Sequence, residues 1–222
     1  MSDESGFSVD EIKSAAQQLV KAGQDVRAKL HELTVKALTQ RQLAEKEIRE
    51  VLAAITEGVS LGASERVDEV RLALGDALHG MDDALGHAAE AMQHAWSEVS
   101  AHAQEFAEQD LKEGIDELKK LEGMFLETVG RTAQGASGLV KQEMAALAEQ
   151  ARGAGTGSGK RVKAVVDDLS SRLRATAHLA SDAGRQAARQ VGARAASLAS
   201  RKLAEMAAKI EEKAQALKQE NQ

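Results

Sequence analysis

A chain of 222 residues without one proline lacks the residue that most reliably ends a helix, and this narrows its fold more than any motif it carries. Alanine supplies 42 positions and leucine 23, with Glu, Lys, Arg and Gln filling most of the rest, whereas three Phe, one Trp and no Tyr are present. These are the strongest helix formers, and the β-formers are scarce. The expected fold is all-α: long amphipathic helices in an antiparallel hairpin or elongated bundle with coiled-coil character. Leu, Ile, Val and Phe together number only 46, so much of the apolar surface is alanine methyl and the core is thin. Cysteine is absent, which excludes a disulfide framework and thiolate metal sites and fits a cytoplasmic location. The N-terminal MSDESGFSVDEIKS has no basic stretch followed by an apolar run, and no 18-residue apolar run occurs. A soluble or peripheral protein with no transmembrane segment is expected.

Hydrophobic spacing divides the chain. Ser8 and Glu11 have capping-box spacing. From Ile12 to Val59 apolar or small residues alternate steps of three and four, a heptad seam of roughly 75 Å if it forms one helix. Gly58 and Gly62, with Ser64 as a possible N-cap, mark a turn at about 58–64. From Val67 through Leu74, Leu78, Leu85, Met92 and Trp96 the stripe repeats every eleven residues, which favours a straight or slightly right-handed helix. The cluster GAGTGSGKR, from Gly153 to Arg161, separates this part from a third. The resulting division is an acidic helical hairpin or bundle at 1–152, a glycine-rich hinge at 153–159 and a basic, Ala-rich amphipathic helix at 160–222.

Charge follows that division. Residues 1–151 hold 28 acidic and 15 basic side chains, whereas 152–222 hold 7 acidic and 14 basic. The basic segment could therefore dock on the acidic one or on an anionic partner. Its stripe includes Leu169, Leu173, Val191, Met206 and Ile210, flanked by Arg185, Arg189, Arg194 and Arg201. Beside it runs a row of small residues every fourth position, from Ala180 to Ala208, of the kind that lets a second helix approach closely. Nucleic acid is a poor partner for it, because the segment has no aromatic stacking groups and the whole protein is acidic.

Two patterns point to chemistry. His79, Asp83, His87, Glu90, His94, Glu98 and His102 lie one turn apart on one broad helical face. Between Arg71 and Lys112 the sequence has eight carboxylates and no Lys or Arg. Such a ladder suits a divalent metal or a pH-sensitive surface, with imidazole pKa values displaced upward by the acids. The plainer alternative is a solvated face of weak one-turn pairs. The GAGTGSGKR cluster resembles a phosphate-binding loop, but Arg161 stands where Ser or Thr would meet magnesium and no strand pattern precedes it, so a hinge is the simpler account. No nucleophile, base and acid are arranged for catalysis, and neither enzyme activity nor a cofactor is expected.

Long proline-free helices, eleven-residue stripes and shallow Ala/Leu faces resemble phasins, which coat polyhydroxyalkanoate granules, and more distantly apolipoprotein-like and desiccation-protective helices. EKEIREVLAAITEGVSLGA and QDLKEGIDELKKLEGMFLETV also look like an uncharacterised family of helical proteobacterial proteins. The phasin resemblance implies a non-enzymatic, oligomerising surface protein, and carries no binding residue across. The function expected is a structural protein that self-associates as a homo-oligomer through its stripes and re-opens to coat a lipid or polymer-granule boundary, peripheral to that surface in the cytoplasm. The alternative is a coiled-coil interaction module whose stripes stay buried.

Overall fold

The computed structural model describes residues 7–40, 45–102 and 108–176, with side chains described for these except at 96–102, 108–114 and 172–176. The described residues form seven α-helices and one short 3-10 turn: α1 (Val9–Ala22), α2 (Val26–Thr39), α3 (Glu45–Ser64), the turn Val67–Glu69, α4 (Val70–His102), α5 (Glu108–Gly135), α6 (Gly138–Ala154) and α7 (Gly157–Thr176). The chain is all-α, as its composition requires, and no described helix is long and apolar enough to cross a membrane.

The capping box forms as its spacing predicts. The Glu11 amide donates to Ser8 Oγ at 3.2 Å and the Ser8 amide donates to Glu11 Oε2 at 2.8 Å, so two otherwise unpaired donors of the first turn are satisfied. The long seam, however, is not one helix. Gly23 closes α1 at φ +72° with its amide on the Leu19 carbonyl, and Asp25 follows at φ +50°. Two left-handed residues so close together reverse the chain, and glycine at the first makes the reversal cheap. Residues 41–44, between α2 and α3, lie outside the described residues.

Cross-helix pairs fix the register. Lys13 meets Glu57 and Lys21 meets Glu65, so α1 and α3 run parallel. Arg27 meets Asp83 and His31 meets His87, which makes α2 parallel to α4. Glu45 with Lys120, Arg49 with Glu127 and Thr56 with Thr132 align α3 with α5. Arg71 with Glu143 and Gln93 with Asp168 align α4 with α6 and α7. Ala133 and Gln134 of α5 line one cavity with Lys141 and Ala145 of α6, and Phe125 and Leu126 line another with Ala151 and Ala154, so that pair, joined by a short turn, is antiparallel. The result is three helical hairpins, α1–α2, α3–α4 and α5–α6/α7, stacked in the same sense. The odd-numbered helices form one layer and the even-numbered helices with α7 form the other.

The stripes are buried in this stack: Ile12, Ala16, Leu30, Ile48, Val51, Ile55 and Val59 from the heptad stretch, and Leu74, Leu78, Met81, Leu85 and Met92 from the eleven-residue stretch. Each helix packs on more than one neighbour, in place of a single two-helix seam. Val67 departs from its expected place, being exposed in the 3-10 turn. Trp96 belongs to α4, but its side chain lies outside the described set. Gly58 and Gly62 are not turn residues either. Both lie within α3 and face α1, where a Cβ on Gly58 would collide with the Lys13 carbonyl and one on Gly62 would stand 2.5 Å from the Gln17 carbonyl oxygen. The turn comes just after them, at Glu65 and Arg66.

Candidate functional site

The glycine cluster joins α6 to α7 within the stack. Gly153 and Ala154 end α6, Gly155 turns the chain at φ +74°, and Gly157 begins α7. Thr156 receives the Gly159 amide on Oγ1 at 2.8 Å, an N-cap bond. Two carboxylates, one from the second hairpin and one from α5, then grip the first turn of α7. Asp82 of α4, only 8% exposed, accepts from the Gly157 amide at 2.7 Å, the Ser158 amide at 3.1 Å and the Ser158 hydroxyl at 2.5 Å. Glu122 of α5 accepts from the Thr156 amide and hydroxyl at 2.9 and 2.8 Å. The likeness to a phosphate-binding loop thus has a physical basis, a helix N-terminus offering amides to an anion, but the anion is the protein's own Asp82. Leu169, expected at a binding surface, lies in the core where α7 packs on α4 and α5. The Leu173 side chain, and Arg185, Arg189, Val191, Arg194, Arg201, Met206 and Ile210, lie outside the described set.

The His/carboxylate ladder separates into different environments. His79 is exposed and lines a cavity of about 160 Å³ with Asp82, Phe125 and Thr156. His94 is exposed. The side chains of Glu98 and His102 lie outside the described set. Among the described residues no three His, Asp or Glu side chains converge on a point that could hold a metal ion.

The middle of the ladder instead forms a polar cluster between α2, α4 and α7. His31 of α2 turns Nε2 toward His87 Nδ1 at 2.8 Å, with the rings edge to face and their centroids 5.0 Å apart. At that separation one imidazole donates and the other accepts, so at least one is neutral. Arg27 grasps Asp83 Oδ2 through Nε at 3.0 Å and Nη2 at 2.7 Å. Arg161 reaches across from α7, donating Nη1 to the Asp83 carbonyl at 3.3 Å and placing Nε 3.8 Å from Glu90. Gly86 makes room for it, since a Cβ there would stand 2.6 Å from the Arg161 side chain. The cluster lines an open groove of about 720 Å³ that Asp25 and Asp76 also border.

Both imidazoles are held below their ordinary pKa, and for His87 this is opposite to the upward displacement the ladder predicts. Burial is the main cause for each. His87 and Arg161 add to it for His31, and Arg161 adds to it for His87, while Asp83 for both and Glu90 for His87 act the other way. The absence of Lys and Arg from 72–111 concealed this, because the cations come from Arg27, 56 residues before Asp83, and Arg161, 78 residues after it. His31, Arg27, Arg161, Asp82 and Glu122 were not legible as site residues. The only local hint was that Arg27 and His31 are one turn apart, as are Asp83 and His87.

Residues 2–212 match the model of a family of unknown function (DUF6781), nearly the whole chain, and the chain belongs to that family. No curated protein and no solved structure matches it. The resemblance to phasins and apolipoprotein-like helices therefore finds no support in these comparisons, whereas a family of unknown function is what they return.

Proposed function

We propose that this family member is a non-enzymatic structural protein: a stack of helical hairpins that presents a basic amphipathic segment, residues 177–217, to an anionic boundary of lipid or polymer. The observation that carries this reading is that the described helices bury their stripes against one another. Coating by re-opening of the whole chain would have to break that core. A surface role then falls to the part of the sequence beyond α7, where Val191, Met206 and Ile210 form an apolar stripe flanked by Arg185, Arg189, Arg194 and Arg201. A basic amphipathic helix of this kind binds through buried apolar area and attraction to anionic headgroups, the latter worth about 1 kcal/mol per cation near the surface. The row of small residues from Ala180 to Ala208 would also allow two copies to pack closely, which supports self-association at the surface.

Flotation of the full chain with vesicles of anionic and of zwitterionic phospholipid tests the reading. The expected result is flotation with anionic vesicles alone, lost in the variant R185Q/R189Q/R194Q/R201Q. A chain that stays at the bottom of the gradient with both vesicle types overturns it. In that case the burial of Leu169 favours the second reading, an interaction module whose stripes remain packed, and sedimentation velocity would give a defined oligomer indifferent to lipid.

A further inference from the structure

We infer that the His31–His87 pair is a proton-operated latch between the first and second hairpins, closed when the imidazoles are neutral and opened when both are protonated. The pair joins two helices from separate hairpins, and the bond between facing ring nitrogens at 2.8 Å needs one acceptor. A first proton can be shared along that bond. A second leaves two donors facing each other, with the ring centroids 5.0 Å apart.

The surroundings supply little to neutralise the added charge. α2 contributes Arg27, α4 contributes Asp83 and Glu90, and α7 contributes Arg161; Asp25 and Asp76 stand at the edge of the groove. Asp83 and Glu90 already face two guanidiniums: Arg27 binds Asp83 directly, and Arg161 lies 4.0 Å from the Asp83 carboxylate and 3.8 Å from that of Glu90. The four charges that act on the imidazoles, Arg27, Arg161, Asp83 and Glu90, therefore balance before either ring titrates, and each proton added to a ring leaves this group of six cationic, with Asp25 and Asp76 at the groove's edge.

The backbone is arranged to respond. α2 leaves α1 through Gly23 and Asp25, both left-handed, so a rotation there can lift α2 without unwinding α1. The helix also approaches α4 closely, for a Cβ on Gly80 would collide with the Arg27 carbonyl. A small displacement at His31 therefore loosens the whole contact. Opening would uncover Val26 and Leu30 of α2 and Ala77, Met81 and Ala84 of α4, all buried in the closed state.

Hydrogen exchange on the full chain at about pH 7.5 and about pH 5.5, expressed as protection factors, tests the latch. In the wild type, amides of α2 are expected to lose protection at the lower pH severalfold relative to those of α5, since the open state binds protons more readily than the closed one. In H31Q/H87Q that loss should disappear. An equal loss in the double variant, or α2 protection in the wild type that does not change with pH, overturns the proposal. If the double variant does not fold, side-chain NMR titration of the wild type decides: two coupled steps below the ordinary histidine value support the latch, and two independent titrations at that value overturn it.

Discussion

Asp82 accepts from two amides and a hydroxyl while nearly excluded from solvent, so removing its carboxylate leaves three donors at the start of α7 without their anion. Asp82→Ala is expected to lower the stability of the fold by about 3 kcal/mol and Asp82→Asn by about half as much, since the amide keeps one acceptor. Urea unfolding followed by circular dichroism measures both, and equal stability of all three proteins would show that the grip contributes nothing. Neither Asp82 nor Glu122 stood out in the sequence, although the glycine-rich helix start they bind did. Sequence spacing within one helix is legible, as the Ser8–Glu11 box shows. A bond from Asp82 to Ser158, 76 positions away, leaves no periodic trace. The raised pKa expected for His87 is reversed for the same reason, because its local neighbours are acids while its spatial neighbours include Arg161.

Glycines within helices separate into two kinds, and the difference decides how the helices stack. Gly58 lies where a side chain would meet the α1 backbone, with Ala16 Cβ 2.8 Å from the added atom, whereas Gly123 of α5 is exposed and an added Cβ would meet nothing within 4 Å. Gly58→Ala is therefore expected to destabilise by about 1–3 kcal/mol through overpacking, and Gly123→Ala to stabilise by about 1 kcal/mol through helix propensity. Thermal melts of the two variants check the pair of signs. Element type and most core positions were legible, since the apolar steps from Ile12 to Met92 largely coincide with buried side chains. Helix ends were less so. In the sequence Gly58 and Gly62 suggest a turn because a glycine pair weakens a helix on its own, and only the approach of α1 shows why they are there. A better signal was the tripeptide Gly-Ala-Ser, which occurs at Gly62–Ser64, where α3 ends, and again at Gly135–Ser137, where α5 gives way to α6.

At the scale of the whole molecule, acid should act in two stages with the same sign. His31 and His87 have folded-state pKa values below the ordinary 6.5. Just below 6.5 the unfolded chain thus binds more protons, and the stability they support is complete above that pH and lost as pH falls toward the folded values. Glu45 is held below its ordinary 4.5 by hydrogen bonds from Lys120 and then Arg49, Glu65 by Lys21 and then Gln17, and Glu127 first by Arg49. Their contribution is present above 4.5 and is lost as pH falls through their lowered values. Equilibrium unfolding across pH should show a first decline that vanishes in H31Q/H87Q and a second, lower one that weakens with added salt, because these glutamates are exposed. A profile flat between about pH 7 and about pH 5 would remove the first stage. The carboxylate grip on α7 also has a mechanical meaning. Because the start of α1 lies beside the end of α2, and α2, α4 and α7 run parallel, the start of α1 and the end of α7 stand at one end of the stack, so a pull between them peels α7 from Thr176 back toward the grip at its first turn. Single-molecule extension between the two ends should therefore show α7 yielding gradually and the Asp82 grip breaking last, a final step that Asp82→Ala removes, so the grip acts as a stop that limits how far a tug on this helix spreads into the rest of the stack.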